Sequence, residues 1–189
     1  MTERALPPDA ELIDGLRAGD QATIRLLVAS YWSPLCQYAE GILAGVADPE
    51  DVVQEAFIRL WRRRDRWDRE GSVRALLYTV TRNAALDERR RGVRDEKVRH
   101  GASRPDAPAS PSEDAVAEEL RAAAQAAVSR LPPRRQEIFR LAREEGLSYS
   151  EIASVLGLSA QTVANHMSMA LADLRRDLAA HLVQDTPSR

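Results

Sequence analysis

A helix cannot run unbroken through residues 100–114, HGASRPDAPASPSED. Pro105, Pro108 and Pro111 alternate with Ala, Ser and Asp, and no apolar periodicity crosses the stretch. Proline lacks a backbone donor and turns the residue before it away from helical geometry. The stretch therefore predicts an extended, mobile linker. It divides the chain into segments of about 95 and about 75 residues, each the size of a small domain.

On both sides of the linker the apolar residues recur every three or four positions, and no stretch alternates with period two, which predicts an all-α protein. Ala, Leu, Arg and Glu dominate the composition, in keeping with helical propensity. Leu12, Ile13 and Leu16 mark a short opening helix stopped at Gly19-Asp20. A longer helix is expected from Ala22 to about Ala44, with Pro34 starting a new turn or kinking it. Asp48-Pro49-Glu50 is a helix start, and Val52, Val53, Ala56, Phe57, Leu60 and Trp61 form the apolar face behind it. The following helix begins near Ser72 and is expected to bury Val73, Leu76, Leu77, Val80 and Ala84. After the linker, helices are expected over Ala115–Val128, from Leu131-Pro132-Pro133 to about Glu145, and on either side of Gly157-Leu158-Ser159. Ser148 with Glu151 matches a capping box, and Ser159 caps the last helix.

The net charge of −2 gives no sign of a polyanionic partner, but the charge is unevenly spread. From Arg59 to Arg99 there are 14 Lys/Arg against 7 Asp/Glu, an excess of +7 that leaves −9 on the other residues. A basic block in an acidic chain points to a localised anion-binding surface. The single cysteine, Cys36, excludes an internal disulfide and reads as a buried apolar filler. MTERALPPDAEL lacks the apolar core of a signal peptide, and no apolar run reaches membrane-spanning length. A cytoplasmic protein without membrane insertion is expected.

Three segments carry chemistry. In SYSEIASVLGLSAQTVANHM, residues 148–167, two capped helices meet at a glycine turn, with Ile152, Val155, Leu156, Val163 and Met167 as the inner set. The outer face at the start of the second helix holds Gln161, Thr162, Asn165 and His166, which can donate to or accept from base edges in a major groove. That pattern fits a DNA-reading helix-turn-helix; a helical hairpin with a solvated polar face is the alternative. The second helix carries no Lys or Arg between Ser159 and Leu174, so phosphate contacts fall to Arg134, Arg135, Arg140, Arg143, Arg175 and Arg176. In the first half, Gln54, Glu55, Ile58, Arg59 and Arg62 lie opposite an apolar face, and Ile58 among polar neighbours favours protein docking over a merely solvated surface. Arg74, Tyr78, Arg82, Asn83, Asp87 and Arg90 follow at short helical steps and are expected to share one face. Arginine suits phosphate, tyrosine can stack on an open base, and asparagine can read a base edge.

Taken in order over about residues 10–178, these segments resemble the extracytoplasmic-function (ECF) sigma factors of bacterial RNA polymerase. DPEDVVQEAFIRLWRR is similar to the region-two segment that docks on polymerase, and GSVRALLYTVTRNAALDERRR to the segment that melts and reads the minus-ten element. LPPRRQEIFRLAREEGLSYSEIASVLGLSAQTVANHMSMALADLR resembles region four, whose helix-turn-helix reads the minus-thirty-five element. The resemblance implies a region-two domain over 10–99, the linker over 100–114 and a region-four domain over 115–180. It places Asp51, Gln54, Glu55, Ile58, Arg59 and Arg62 against the clamp helices of the β′ subunit of core polymerase. Arg74, Tyr78, Arg82, Asn83, Asp87 and Arg90 would serve the minus-ten element, with an extruded base held by the loop Asp68–Ser72. Tyr149 and Ser150 would meet backbone phosphate, and Ser159, Gln161, Thr162, Asn165 and His166 the minus-thirty-five element. Promoter DNA and core RNA polymerase are the implied partners, an anti-sigma factor a further one.

The chain departs from the family pattern in two places. Leu76 stands where many members have Trp, and Ala164, Met169 and Leu171 stand where many have basic residues. A response regulator shares the Thr-Val-x-Asn-His pattern but needs a receiver domain of alternating strands and helices, which the first 99 residues do not predict. An enzyme built on Asp48, Glu50 and Asp51 lacks a His or Cys partner at ligand spacing, and helix capping accounts for those acids. No catalytic residue, metal site or cofactor is expected.

Overall fold

The computed structural model describes residues 6–67, 71–96 and 115–184, and among them there are only helices and turns. The expected linker, 100–114, lies outside the described residues. Eight α-helices follow in order: α1 (Asp9–Ala18), α2 (Gln21–Leu43), α3 (Pro49–Arg62), α4 (Val73–Glu96), α5 (Ala115–Ser129), α6 (Pro133–Arg143), α7 (Tyr149–Leu156) and α8 (Ala160–Gln184). A short 3-10 turn, Arg64–Arg66, follows α3. The chain forms two units, the first containing α1–α4 and the second α5, α6, α8 and the greater part of α7.

In the first unit α2, α3 and α4 pack against one another, and α1 packs on α2 and the 3-10 turn. The core is aliphatic: Leu27, Leu35 and Leu43 of α2, Val53 and Leu60 of α3, and Val73 and Ala85 of α4 are wholly buried. Trp32 stacks near Phe57, with ring centroids 6.3 Å apart, and Tyr38 meets Tyr78 edge-on at 5.1 Å. Edge-on and offset ring pairs add about 0.5–1.5 kcal/mol to the area they bury. The α2 helix continues through Pro34 as one element, so of the new turn or kink expected there no new helix start is seen. The buried face of α4 also differs from expectation. Val73, Leu77 and Ala84 are buried, Leu76 and Val80 only half-buried, and Ala75, Tyr78, Thr81 and Ala85 are buried as well. Cys36 is half-buried rather than sealed in the core, and its desolvation, followed by the charges of Glu50 and Asp48, raises its thiol pKa.

The α1–α2 corner shows how sequence fixes a close approach. Gly19 ends α1 with φ of 72°, a left-handed conformation that costs a glycine nothing. Asp20 then caps α2, accepting from the Ala22 and Thr23 amides at 3.0 Å each and from the Thr23 hydroxyl at 2.7 Å. These bonds hold the Asp20 carboxyl below its ordinary pKa, the Thr23 hydroxyl foremost. Thr23 in turn lies against Gly15, where a Cβ would collide with its side chain.

In the second unit α8 packs against α5 and α6. Ala127, Leu131, Ala170 and Leu174 form a core with Val128, Phe139 and Leu178 against it. Gln136 Nε2 donates to the Val128 carbonyl at 3.2 Å, tying α6 to the end of α5. The expected capping box is present: the Ser148 hydroxyl accepts from the Glu151 amide, and Glu151 accepts from the Ser148 amide at 2.9 Å.

Replacing Gly15 with alanine should destabilise the first unit by about 1–3 kcal/mol, since the Thr23 side chain must leave its bond to Asp20. All three tryptophans, Trp32, Trp61 and Trp67, belong to this unit, so urea unfolding followed by tryptophan fluorescence reads it directly. An unchanged midpoint would show that Thr23 yields without cost.

Candidate nucleic-acid interface

The outward side of α3 gathers its polar residues on one face. Asp48 accepts from the Glu50 amide at 2.9 Å and starts the helix, with Pro49 at its first position and Glu50 and Asp51 in its first turn. Burial of Val52, Val53, Ala56, Phe57 and Leu60 then turns Asp51, Gln54, Glu55, Ile58, Arg59 and Arg62 outward. Asp51, Gln54, Ile58 and Arg62 are exposed, and Glu55 and Arg59 half-buried. Ile58 is one of three exposed large apolar side chains among the described residues, with Tyr149 and Met169. Between α3 and α4 lies a groove of about 470 Å³ lined by Asp48, Asp51, Glu55, Arg59, Glu88 and Arg91 among others.

The six α4 residues do not share one face, which corrects the expectation. The step from Arg82 to Asn83 is a single residue and turns the helix by about 100°. Arg74 and Arg82 are half-buried and engaged with neighbours, whereas Asn83 and Arg90 are exposed on another side with Asp87. Tyr78 is corrected too: only 2% of it is exposed, and its ring is buried against Tyr38, so it offers no platform for a base. Of the expected base-holding loop, residues 68–70 lie outside the described residues; Ser72 caps α4, its hydroxyl accepting from the Ala75 amide at 3.2 Å.

Asp87 has a partner that helical spacing cannot reveal. Arg59 Nη1 donates to Asp87 Oδ2 at 3.3 Å across 28 residues of sequence, and Arg59 Nε donates to Glu55 Oε1 at 2.8 Å. The Glu55 bond, then that of Asp87, raises the Arg59 pKa against a desolvation cost, so the guanidinium stays charged.

In the second unit Gly157, at φ of 64°, closes α7, and the Leu158 amide bonds back to the Ala153 carbonyl at 2.9 Å. Ser159 caps α8 by accepting from the Thr162 amide at 3.0 Å, and the two hydroxyls are 2.8 Å apart. Ile152, Val155, Leu156, Val163 and Met167 are buried as expected, and Leu158 is half-buried. Gln161 Nε2 donates to Asn165 Oδ1 at 3.0 Å, and the Asn165 amide nitrogen has no acceptor among the described residues. Gln161, Asn165 and Ser159 are exposed, and Thr162 and His166 half-buried. His166 Nδ1 is buried with no hydrogen-bond partner among the described residues. Tyr149 and Ser150 are exposed at the start of α7.

The cations around α8 are largely paired. Arg135 and Arg176 both bond Asp173, Arg134 pairs with Glu137 at 3.2 Å, and Arg130 with Asp177 at 3.1 Å. Arg140, Arg143 and Arg175 have no carboxylate partner among the described residues. Asp173 is an ion-pair partner that the sequence did not mark; it sits 38 residues from Arg135, with no local pattern to point to it.

The Sigma-70 region 2 family model matches residues 27–95, and the Sigma-70, region 4 model matches residues 121–174. The RNA polymerase sigma factor CnrH of Cupriavidus metallidurans is 30% identical over 181 residues, covering 89% of this chain and 94% of the relative. The ECF RNA polymerase sigma factor SigL of Mycobacterium tuberculosis is 29% identical over 172 residues, 88% of this chain and 94% of SigL. The chain belongs to the ECF sigma factors. Members of this family direct promoter-specific transcription initiation with RNA polymerase. A probable RNA polymerase sigma factor, RfaY of Xanthomonas campestris, is 34% identical over 166 residues, and the chain spans 42% of its length. Among solved structures, CnrH in complex with the cytosolic domain of CnrY superposes with a TM-score of 0.64 at 27% identity, covering 94% of this chain and 99% of that one. The fold is also that of the sigma factor RpoE bound to the anti-sigma factor NepR from Bartonella quintana, at a TM-score of 0.59 and 22% identity over 82% of this chain and 96% of that one. The α7–α8 pair of the sigma factor is thus the region-four helix-turn-helix.

Arg135, then desolvation against it, then Arg176 set the Asp173 carboxyl, which is held below its ordinary pKa of 3.8. A depressed carboxylate contributes stability above its ordinary pKa and loses it as pH falls through the lower folded value. Protection of the α6 and α8 amides of the sigma factor, taken relative to unfolded-chain exchange at the same pH, should therefore fall as pH drops below about 4, and Asp173→Asn should flatten that dependence. Equal pH slopes in the two proteins would show that Asp173 carries no linkage.

Proposed function

We propose that the chain docks on core RNA polymerase through the outward face of α3 and carries it to promoters read at two places. Asp51, Gln54, Glu55, Ile58, Arg59 and Arg62 meet the clamp helices of the β′ subunit: an apolar side chain ringed by polar ones is the pattern of a protein interface with a small dry centre. Asn83 and Arg90 on α4, with Arg74 and Arg82, serve the minus-ten element, with the loop before α4 holding an opened base. Tyr149 and Ser150 contact phosphate, and Ser159, Gln161, Thr162, Asn165 and His166 face the minus-thirty-five element. The observation that carries this reading is the capped, glycine-turned α7–α8 pair with an exposed, neutral, hydrogen-bonding face at the start of α8.

The protein acts without catalysis or cofactor of its own, as a cytoplasmic specificity subunit of polymerase. No helix of the described residues is long and apolar enough to cross a membrane. An anti-sigma factor is a further partner; CnrH and RpoE were both solved with a bound protein, CnrY and the anti-sigma factor NepR.

Run-off transcription with bacterial core polymerase over a library of promoter-like duplexes tests the reading. Initiation should depend on the protein and select a spaced pair of motifs. Duplex binding by the protein alone, with no initiation, would leave a DNA-binding module and remove the sigma role. On the selected promoters, Asn165→Ala should relax preference in the upstream motif, costing about 1–3 kcal/mol of discrimination at one base pair. Unchanged selectivity would displace the recognition face from Asn165.

A further inference from the structure

A single chain of ion pairs joins two helices to which the proposed function gives different partners. Within α3, Glu55 Oε1 accepts from Arg59 Nε at 2.8 Å; across to α4, Arg59 Nη1 donates to Asp87 Oδ2 at 3.3 Å. On the other side of the same carboxylate, Arg90 Nη2 donates to Asp87 Oδ1 at 2.9 Å, and Arg90 Nε donates to the Leu86 carbonyl at 3.2 Å. Both Asp87 oxygens thus face a guanidinium, and two of the three Arg90 nitrogens are held while its side chain remains 69% exposed.

An aspartate that reads a base accepts from a cytosine amino group. Each Asp87 oxygen already accepts a charge-assisted bond, about twice as strong as a neutral one, so a base would have to share the carboxylate with two guanidinium groups. The group this network delivers to solvent is Arg90, already ordered, and an ordered side chain loses less freedom on binding. We infer that Asp87 is a positioning residue: it reads no base, but holds Arg90 ready for a backbone phosphate and, through Arg59, ties it to the docking helix α3. This rests on the reading in which α4 faces promoter DNA.

The experiment uses the full chain with core polymerase on a promoter at which the wild-type protein initiates, and reads strand opening by permanganate reactivity. Asp87→Asn, Arg90→Ala and the double variant are compared, each at a temperature where tryptophan fluorescence shows it folded. Each single change should lower open-complex yield by about five-fold, the double no more than the worse single, since both break one contact chain. Asp87→Glu, which keeps the carboxylate, should recover most of the yield. Over a randomised minus-ten library Asp87→Asn should keep the wild-type base preference. Its salt dependence should shallow by about one phosphate, as for Arg90→Ala. Additive losses, or a changed preference at one base, would make Asp87 a direct DNA contact and overturn the inference. Wild-type yield from both single variants would overturn it equally. Failure of the wild-type protein to direct initiation at any promoter would instead remove the function on which it rests.

Discussion

Burial of one face of α3 and one face of α4 against α2 decides which side chains either helix can offer to a partner. Val53, Leu60, Val73 and Ala85 are wholly buried, as are Leu27, Leu35 and Leu43 of α2. Each large aliphatic side chain so placed contributes about 1.5–3 kcal/mol. An exposed ion pair contributes at most about 1 kcal/mol. The apolar residues therefore set the rotation of each helix, and the charged residues take up the positions left to them. Asp51, Gln54, Ile58 and Arg62 face outward because Val52, Val53, Ala56, Phe57 and Leu60 do not. The same rule removes Tyr78 from any surface role: its ring completes the seam against Tyr38.

The second unit reaches its order by different means. Its helices are short or rich in alanine, and termination signals carry much of the arrangement: the Ser148–Glu151 box, Gly157 in the left-handed region and Ser159 at the head of α8. The result is the proposed recognition face, on which hydroxyls and amides bond to one another, Ser159 to Thr162 and Gln161 to Asn165. Ordered, neutral side chains of this kind favour discrimination between bases over bulk affinity, because affinity for a phosphate backbone scales with the cations brought to it. The cations lie off that face, on α6 and towards the end of α8, and Asp173 holds two of them.

Much of this was legible in the sequence. Helix starts are local chemistry, so Asp48-Pro49-Glu50, Ser148 with Glu151, and Ser159 marked α3, α7 and α8 from a handful of residues. The outward set of α3 and the polar face of α8 also followed, since a strong apolar stripe leaves the opposite face no freedom. The α4 set did not follow. Short steps along a helix look like one face until a one-residue step intervenes, and an arginine-rich segment has too weak an apolar stripe to orient it. Leu76 and Val80, expected in the core, are half-buried, while the small residues Ala75 and Ala85 lie inside.

By itself, then, the sequence determined the helical class, the order of the helices, the caps that end them and the family to which the chain belongs. The class and the caps depend on residues within a few positions of one another, and the family on local motifs taken in their order along the chain. Only the tertiary structure decided that Tyr78 is core, that Arg59 meets Asp87 and that Asp173 bridges Arg135 and Arg176. The first pair is separated by 28 residues and the Arg135–Asp173 pair by 38. No periodicity spans such distances; the pairings arise because apolar burial turns two helices until particular charged residues stand face to face.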